Sequence, residues 1–215
     1  MPDPSAPVIA EVVASSTREV EAEVVRDAPV PEFGTWVEIA TATGGAAGPT
    51  LYGLVSHAET GSIEPGRRAV ALGMGPDELR REMPQLLELV RTTVRAQILA
   101  WWDGRSRLDD GRPRVRQTLP PRPAALHDFV RPCAPGTIAL LGEPFDVLRT
   151  LARNPDPAVP ADDLIAAVLA GLYRAHGRAE AGEAALLTAG RALMRLMDDD
   201  HERLRSILRR AQDAV

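Results

Sequence analysis

The chain contains no lysine, and this absence removes one class of nucleotide-binding site. All 25 basic residues are arginines. A P-loop needs a lysine that reaches the β- and γ-phosphates, so this chain cannot build one. No G-x-G-x-x-G turn opens a helix after a predicted strand either, which argues against a dinucleotide-binding fold. We therefore expect no nucleotide cofactor.

Cysteine is nearly absent as well. Cys133 is the single cysteine, which excludes an internal disulfide and a multi-cysteine metal site. None of the four histidines stands at metal-ligand spacing from another histidine or from this cysteine. We expect a reduced cytoplasmic location, with no metal and no other cofactor.

Long apolar runs are missing too. None approaches the roughly 18 residues that a membrane-spanning helix needs, and the N-terminal "MPDPSAP" lacks the basic and apolar regions of a secretion signal. We expect no membrane partner. Aromatic residues make up only 4% of the chain, so aliphatic side chains must fill the core. A formal net charge of −5 argues against wholesale coating of nucleic acid.

The N-terminal third does contain short alternating segments between turns rich in glycine and proline. In "VEAEV" (20–24) the three apolar residues face one way and the two glutamates face the other. The preceding polar "SST" (15–17) is typical of a hairpin turn or a bulge. Such short strands predict a small β-barrel or sandwich, and barrel closure would remove their exposed edges. The predicted strands cover residues 8–14, 20–25, 35–40, 51–58 and 67–73.

A helical pattern interrupts these strands. Apolar spacing predicts an inserted helix over 76–91, in which Pro84 must cause a bend or a restart. Alternation returns over 92–102, and 114–119 is predicted to be a return strand.

Beyond about residue 143 the apolar spacing is helical. The predicted helices run over 143–153, 161–175 and 183–212, and Asp200 interrupts the apolar seam of the last one. The fold class predicted is therefore α+β. It comprises a small N-terminal β-barrel domain with an inserted helix over residues 1–142, followed by a helical domain over residues 143–215.

The most distinctive local feature is a positive segment that comes after two tryptophans. Residues 1–66 hold two arginines against ten acidic residues, whereas 105–122 is rich in arginine. These arginines, together with the tryptophans, could contact a phosphate backbone or stack on bases. They could equally meet an acidic partner protein or form a solvated strand face, and the sequence leaves the three interpretations open. The candidate contact residues are Trp101, Trp102, Arg105, Arg107, Arg112, Arg114 and Arg116.

Recognisable catalytic groups are scarce. The serines of "SST" lack the glycine elbow of a serine hydrolase. Cys133 is better explained as a small buried apolar residue than as a nucleophile. An enzyme using Cys133 or His127 remains the weakest hypothesis, because no orienting partner stands at a recognisable spacing. We expect a protein that is not an enzyme.

Three segments resemble the HAS barrel, a domain named for HerA-type helicase/translocases and the α and β subunits of ATP synthase. They are "VIAEVVASSTREVEAEV" (8–24), "FGTWVEI" (33–39) and "LYGLVSHAETGS" (51–62). The segments "ELRREMPQLLELVRTTVRAQILAWW" (78–102) and "PPRPAALHDFV" (120–130) resemble the later part of stand-alone bacterial HAS-barrel proteins. The resemblance covers about residues 8–135.

The resemblance implies a docking function. In HerA-type proteins a RecA-like ATPase comes after the barrel, and we expect it to be missing here because the remaining chain is short and has no Walker lysine. In that family the barrel packs side by side into rings and engages a NurA-type nuclease in DNA-end processing. We therefore expect a non-catalytic adaptor that docks a HerA-like ATPase, a NurA-like nuclease or copies of itself. The alternative is a DNA-binding module that uses the arginine-rich segment 105–122.

Overall fold

A computed structural model describes residues 5–43, 46–62, 70–177 and 180–215. Its N-terminal part is a closed barrel of six antiparallel strands, in the order β1-β2-β5-β4-β3-β6, with β6 pairing back onto β1. The predicted α+β class and the predicted barrel are confirmed. The strands are β1 (Ala10–Ser15), β2 (Glu19–Val24), β3 (Trp36–Thr43), β4 (Ala46–Ser62), β5 (Val90–Trp102) and β6 (Phe129–Pro132).

The first hairpin is closed by the serine-rich turn that the sequence suggested. The hydroxyl of Ser16 accepts from the backbone N–H groups of Arg18 and Glu19 at 3.2 and 3.0 Å. It also donates to the carbonyl of Glu19 at 3.1 Å. Such local hydrogen bonds let the serine side chain stabilise the turn, because it pairs with backbone groups that would otherwise lack partners within the turn.

The barrel interior is small and aliphatic, as the low aromatic content requires. Alternate residues of each strand point inward, so Val37 and Ile39 of β3 are buried inside while Trp36 lies on the outer wall. The interior side chains are Ile9, Ala10, Val12, Val20, Ala22, Val37, Ile39, Leu51, Val55, Val94, Ala96, Ile98, Ala124 and Val130.

The inserted helix is shorter than predicted and divided. It comprises α1 (Pro76–Glu82) and α2 (Pro84–Leu87), and the restart at Pro84 agrees with the missing N–H of proline. The prediction that this helix reaches residue 91 is wrong, because Val90 and Arg91 already pair with β4. Of the predicted strand 67–73, residues 70–73 form no strand, and 67–69 lie outside the described residues.

Two further predictions, one after β5 and one for the last helix, are wrong. Residues 114–119 form no strand, and only a single bridge joins Arg116 to Trp101. The last predicted helix, 183–212, is two helices in the structure. Residues 197–200 are not helical, and Asp200 caps the second helix. The helices beyond the barrel are α3 (Pro135–Gly142), α4 (Asp146–Ala152), α5 (Ala161–Ala175), α6 (Glu180–Leu196) and α7 (His201–Asp213).

A second apolar core joins these helices to the outside of the barrel. The outer-wall residues Trp36, Tyr52 and Trp102 pack in one cluster with buried residues of α5, such as Leu164 and Leu169. The contact is close at the turn before β3, where Gly34 lies against Ala167. Among the described residues no helix has both the length and the apolar character needed to cross a bilayer.

Candidate functional site

The arginine-rich segment is a folded loop at the end of β5. At its base, Trp101 and Arg116 exchange two backbone hydrogen bonds of 2.9 and 2.8 Å. Buried Gln117 then fixes the loop to the helices, because its Nε2 donates to the carbonyls of Leu141 and Glu143, both at 2.8 Å. Its Oε1 accepts from the N–H of Val147 at 3.1 Å. The loop is therefore held in a defined position despite having no regular secondary structure.

The two tryptophans differ in accessibility. Trp102 is only 4% exposed, and its indole N–H donates to the carbonyl of Ser106 at 2.8 Å. Trp101 is half-buried, and its N–H donates to the hydroxyl of Thr118 at 3.2 Å. Of the two rings, only Trp101 retains a substantial accessible surface on which a ligand could pack.

Arg116 and Asp103 form the centre of the loop. The Arg116 guanidinium lies 4.8 Å from the ring centroid of Trp101 and pairs with the carboxylate of Asp103 at 3.0 Å. The hydroxyl of Ser106 donates to the same carboxylate at 2.5 Å. Hydrogen bonds from Ser106, backbone N–H groups and Arg116 hold the pKa of Asp103 well below its usual range. Arg116 therefore serves the internal structure of the loop.

The remaining four predicted arginines fall into two groups. Arg107 lies 5.9 Å from the ring centroid of Trp102 and donates to the carbonyl of Gly111 at 2.9 Å. Arg112 pairs with Asp110 at 2.6 Å. Arg105 and Arg114 are exposed, and the described structure gives neither guanidinium a hydrogen bond or an ion pair. These two charges are the ones left available to an external partner.

A groove at one end of the barrel was not predicted from the sequence. It has a volume of about 900 Å³ and lies between the first hairpin, the turn over 25–30 and the α1–α2 insert. Four of the five valines that line it are 38–48% exposed. These groove valines are Val13, Val25, Val30 and Val90.

A β-bulge lies at one of the groove valines. The register of β1 against β2 shifts between Val12 and Ala14, and the extra residue Val13 is exposed while Val12 is buried inside the barrel. The doubled valines at 12–13 and 24–25 were the available sequence signal, since strict alternation would place only one of each pair inside.

Charged residues line the groove together with the valines. Arg91 pairs with Glu23 at 2.7 Å, and the His127 ring contacts the carboxylate of Glu11. The side chains of Asp27 and Glu88 line the same groove, and neither forms an ion pair in the described structure. Apolar side chains together with polar and charged ones are the general composition of a protein-binding surface.

The candidate catalytic residues lie in unlike environments. Cys133 is buried among the residues between the barrel wall and the helices, and burial raises its pKa well above the usual value, as does the nearby Glu38 carboxylate. His127 is exposed at the groove. Among the described residues, no three histidine, cysteine, aspartate or glutamate side chains form a group that could hold a metal ion.

The fold defines a protein class: a closed six-stranded antiparallel barrel with a layer of helices packed on its outer wall. Comparison with known proteins shows no relationship more specific than this class. No protein-family model matches the chain, and no curated protein matches it significantly.

Proposed function

We propose that the protein is a non-catalytic adaptor that docks a larger protein through the groove at the end of its barrel. The observation that carries this proposal is the set of four partly exposed groove valines facing the α1–α2 insert. An exposed apolar patch lowers the solubility of a protein. Such patches on a folded protein commonly mark interaction sites.

Further exposed apolar side chains, just before the α1–α2 insert in the chain, support the same function. Val70, Leu72 and Met74, in the segment that leads into α1, are 78%, 46% and 41% exposed. The three stand at alternate sequence positions in a segment without regular secondary structure, in which Gly73 has a φ of +69°. The groove is lined by residues of the α1–α2 insert, and this segment leads directly into the same insert.

The partner we propose is drawn from the resemblance to the HAS barrel. It is a HerA-like ATPase or a NurA-like nuclease acting in DNA-end processing, with assembly into homo-oligomers as a further form of docking. The closed antiparallel barrel is compatible with that family.

The test uses purified protein and purified candidate partners from the same genome. Binding is measured by biolayer interferometry for the wild type and for two variants, Val13→Asp and Val30→Asp. Each variant places a charge among the groove valines. Leu187→Asp is the matched control, because Leu187 is 61% exposed on α6 and lies outside the groove.

We expect the groove variants to weaken binding at least about tenfold while the control binds like the wild type. Equal binding by all variants would remove the groove from the proposal. Absence of binding to either partner, together with a monomeric wild type, would end the adaptor proposal.

A second candidate function is DNA binding through the arginine-rich loop. The observation in its favour is that Arg105 and Arg114 are exposed on one loop without any acidic partner in the described structure. Phosphate contacts release counterions, so affinity would fall steeply with salt.

Filter binding at several salt concentrations tests this function. The double variant Arg105→Ala/Arg114→Ala should bind more weakly and lower the salt slope by about two units. Arg205→Ala/Arg209→Ala, which removes two exposed arginines of α7, is the control for net charge. A wild type that fails to bind DNA at low salt would exclude this second function.

A further inference from the structure

A smaller cavity lies in the helical part of the molecule, between α4 and α6. Its volume is about 290 Å³, and Phe145, Ala192 and Leu196 form its apolar wall. Phe145 is 9% exposed, so this wall is continuous with the packed core. The cavity belongs neither to the groove nor to the arginine-rich loop.

Two arginines line this cavity from the two different helices. Arg149 comes from α4, and Arg195 comes from α6. The Nε of Arg195 donates to the carbonyl of Arg191 at 3.2 Å, which leaves both of its terminal nitrogens for another acceptor. The hydroxyl of Thr188 donates within its own helix, to Ala184 at 2.8 Å, so the donors available in the cavity are the guanidinium groups.

Neither guanidinium has a carboxylate partner among the described residues. Among the other described helical arginines, Arg203 and Arg210 of α7 pair with Asp162 and Asp163 at 2.7 and 2.8 Å, whereas Arg205 and Arg209 form no ion pair. Asp146 lines the cavity as well, but it forms no ion pair with Arg149, which lies one turn further along α4. The cavity is therefore lined by two exposed arginines and one exposed aspartate, and its formal charge is positive.

We propose that Arg149 and Arg195 form a binding site for a small phosphate ester. A dianionic phosphate offers enough acceptor oxygens for two guanidinium groups, which bind it through paired N–H donors. The organic part of the ester lies on the apolar wall of Phe145 and Leu196. The Asp146 carboxylate is placed to accept a hydrogen bond from a hydroxyl of the ligand, and it disfavours ligands with additional negative charge.

The probes are inorganic phosphate, phenyl phosphate and acetate, each titrated at constant ionic strength and followed by the NMR signals of arginine Nε–H groups. We expect phenyl phosphate to bind more tightly than inorganic phosphate, because its ring reaches the apolar wall. Acetate, which carries a single charge, binds more weakly than either.

Substitutions of single residues test whether the ligand binds in this cavity. Arg149→Ala and Arg195→Ala are each expected to weaken phenyl phosphate binding by about tenfold or more, and Asp146→Asn is expected to strengthen it. Arg153→Ala is the matched control, because Arg153 is an exposed arginine at the end of α4 that does not line the cavity.

The outcomes that overturn the proposal are distinct. If Arg153→Ala weakens binding as much as Arg149→Ala, the phosphate is held by general surface charge. If acetate binds as well as phosphate, the site does not recognise a phosphate group. If no probe shifts an arginine signal at millimolar concentration, the site does not exist.

Discussion

At the scale of single residues, the charged face of the barrel shows what a sequence pattern can and cannot predict. Alternation along 20–24 placed Glu21 and Glu23 towards solvent, and the structure keeps both partly exposed. Their partners are Arg95 and Arg91 of β5, at 3.6 and 2.7 Å. The pairing depends on the register of β2 against β5, which no local pattern contains. Such exposed pairs contribute only about 0–1 kcal/mol each.

Gly34 is a residue whose substitution should be costly. It adopts φ +77°, and an added Cβ would lie 2.3 Å from the Cβ of Ala167. We predict that Gly34→Ala lowers the free energy of unfolding by about 2–4 kcal/mol, from backbone strain and overpacking together. Chemical denaturation measures the loss.

The matched control is Gly111→Ala in the arginine-rich loop. Gly111 has a similar φ of +81°, but an added Cβ would meet nothing within 4 Å. This variant should lose only the strain contribution, about 1–2 kcal/mol. Equal losses for the two variants would show that α5 does not pack against the turn before β3.

Asp103 should make stability depend on acid pH. Its pKa is lower in the folded chain than the value of about 3.9 for an unfolded chain, so its stabilising contribution is complete above that value and is lost as the pH falls. Asp103→Asn removes this titration. Denaturation curves between about pH 6 and pH 3 should therefore converge for the two proteins towards acid, because only the wild type loses this contribution. Parallel pH profiles would contradict the Asp103–Ser106–Arg116 arrangement.

At the scale of elements, the apolar spacing predicted the interiors of helices better than their ends. Helix α5 matches its predicted range, 161–175, because one continuous apolar face determines it. The inserted helix ends early because strand pairing of Val90 and Arg91 with β4 overrides its helical spacing. The apolar spacing of the last helix runs on across the break at 197–200, so the pattern alone concealed two helices.

The side chain of Asp200 explains why α7 begins as a separate helix after residues 197–200. Its carboxylate accepts a hydrogen bond from the N–H of Arg203 at 3.1 Å, as an N-cap residue does. We predict that Asp200→Ala lowers stability by about 1 kcal/mol in chemical denaturation. Asp199→Ala, one residue earlier and outside the cap, should change it by less than about half as much. If the two variants lose the same stability, the cap is not at residue 200.

At the scale of the whole molecule, the barrel and the helices depend on each other. The alternation over 92–102 placed Leu99 opposite the predicted inner face, yet Leu99 is only 3% exposed because helices cover that wall. Sequence periodicity distinguishes two faces of a strand, but it does not say that both are buried. The small barrel could thus be predicted, whereas its second core could not.

The candidate site was predictable to a similar extent. The arginine-rich segment was found from composition alone, but the division into structural and available arginines depends on loop contacts such as Arg116 with Asp103. The groove was missed because alternation indicates that Val13 faces outward but does not show that the turn over 25–30 and the α1–α2 insert lie beside it.

Hydrogen–deuterium exchange of the protein with and without the purified HerA-like ATPase or NurA-like nuclease tests the central claim most directly. The adaptor proposal predicts slower exchange in β1, in the turn over 25–30 and in α1–α2, with little change in α6 and α7. Protection confined to the helices, or no protection in the presence of either partner, would contradict it.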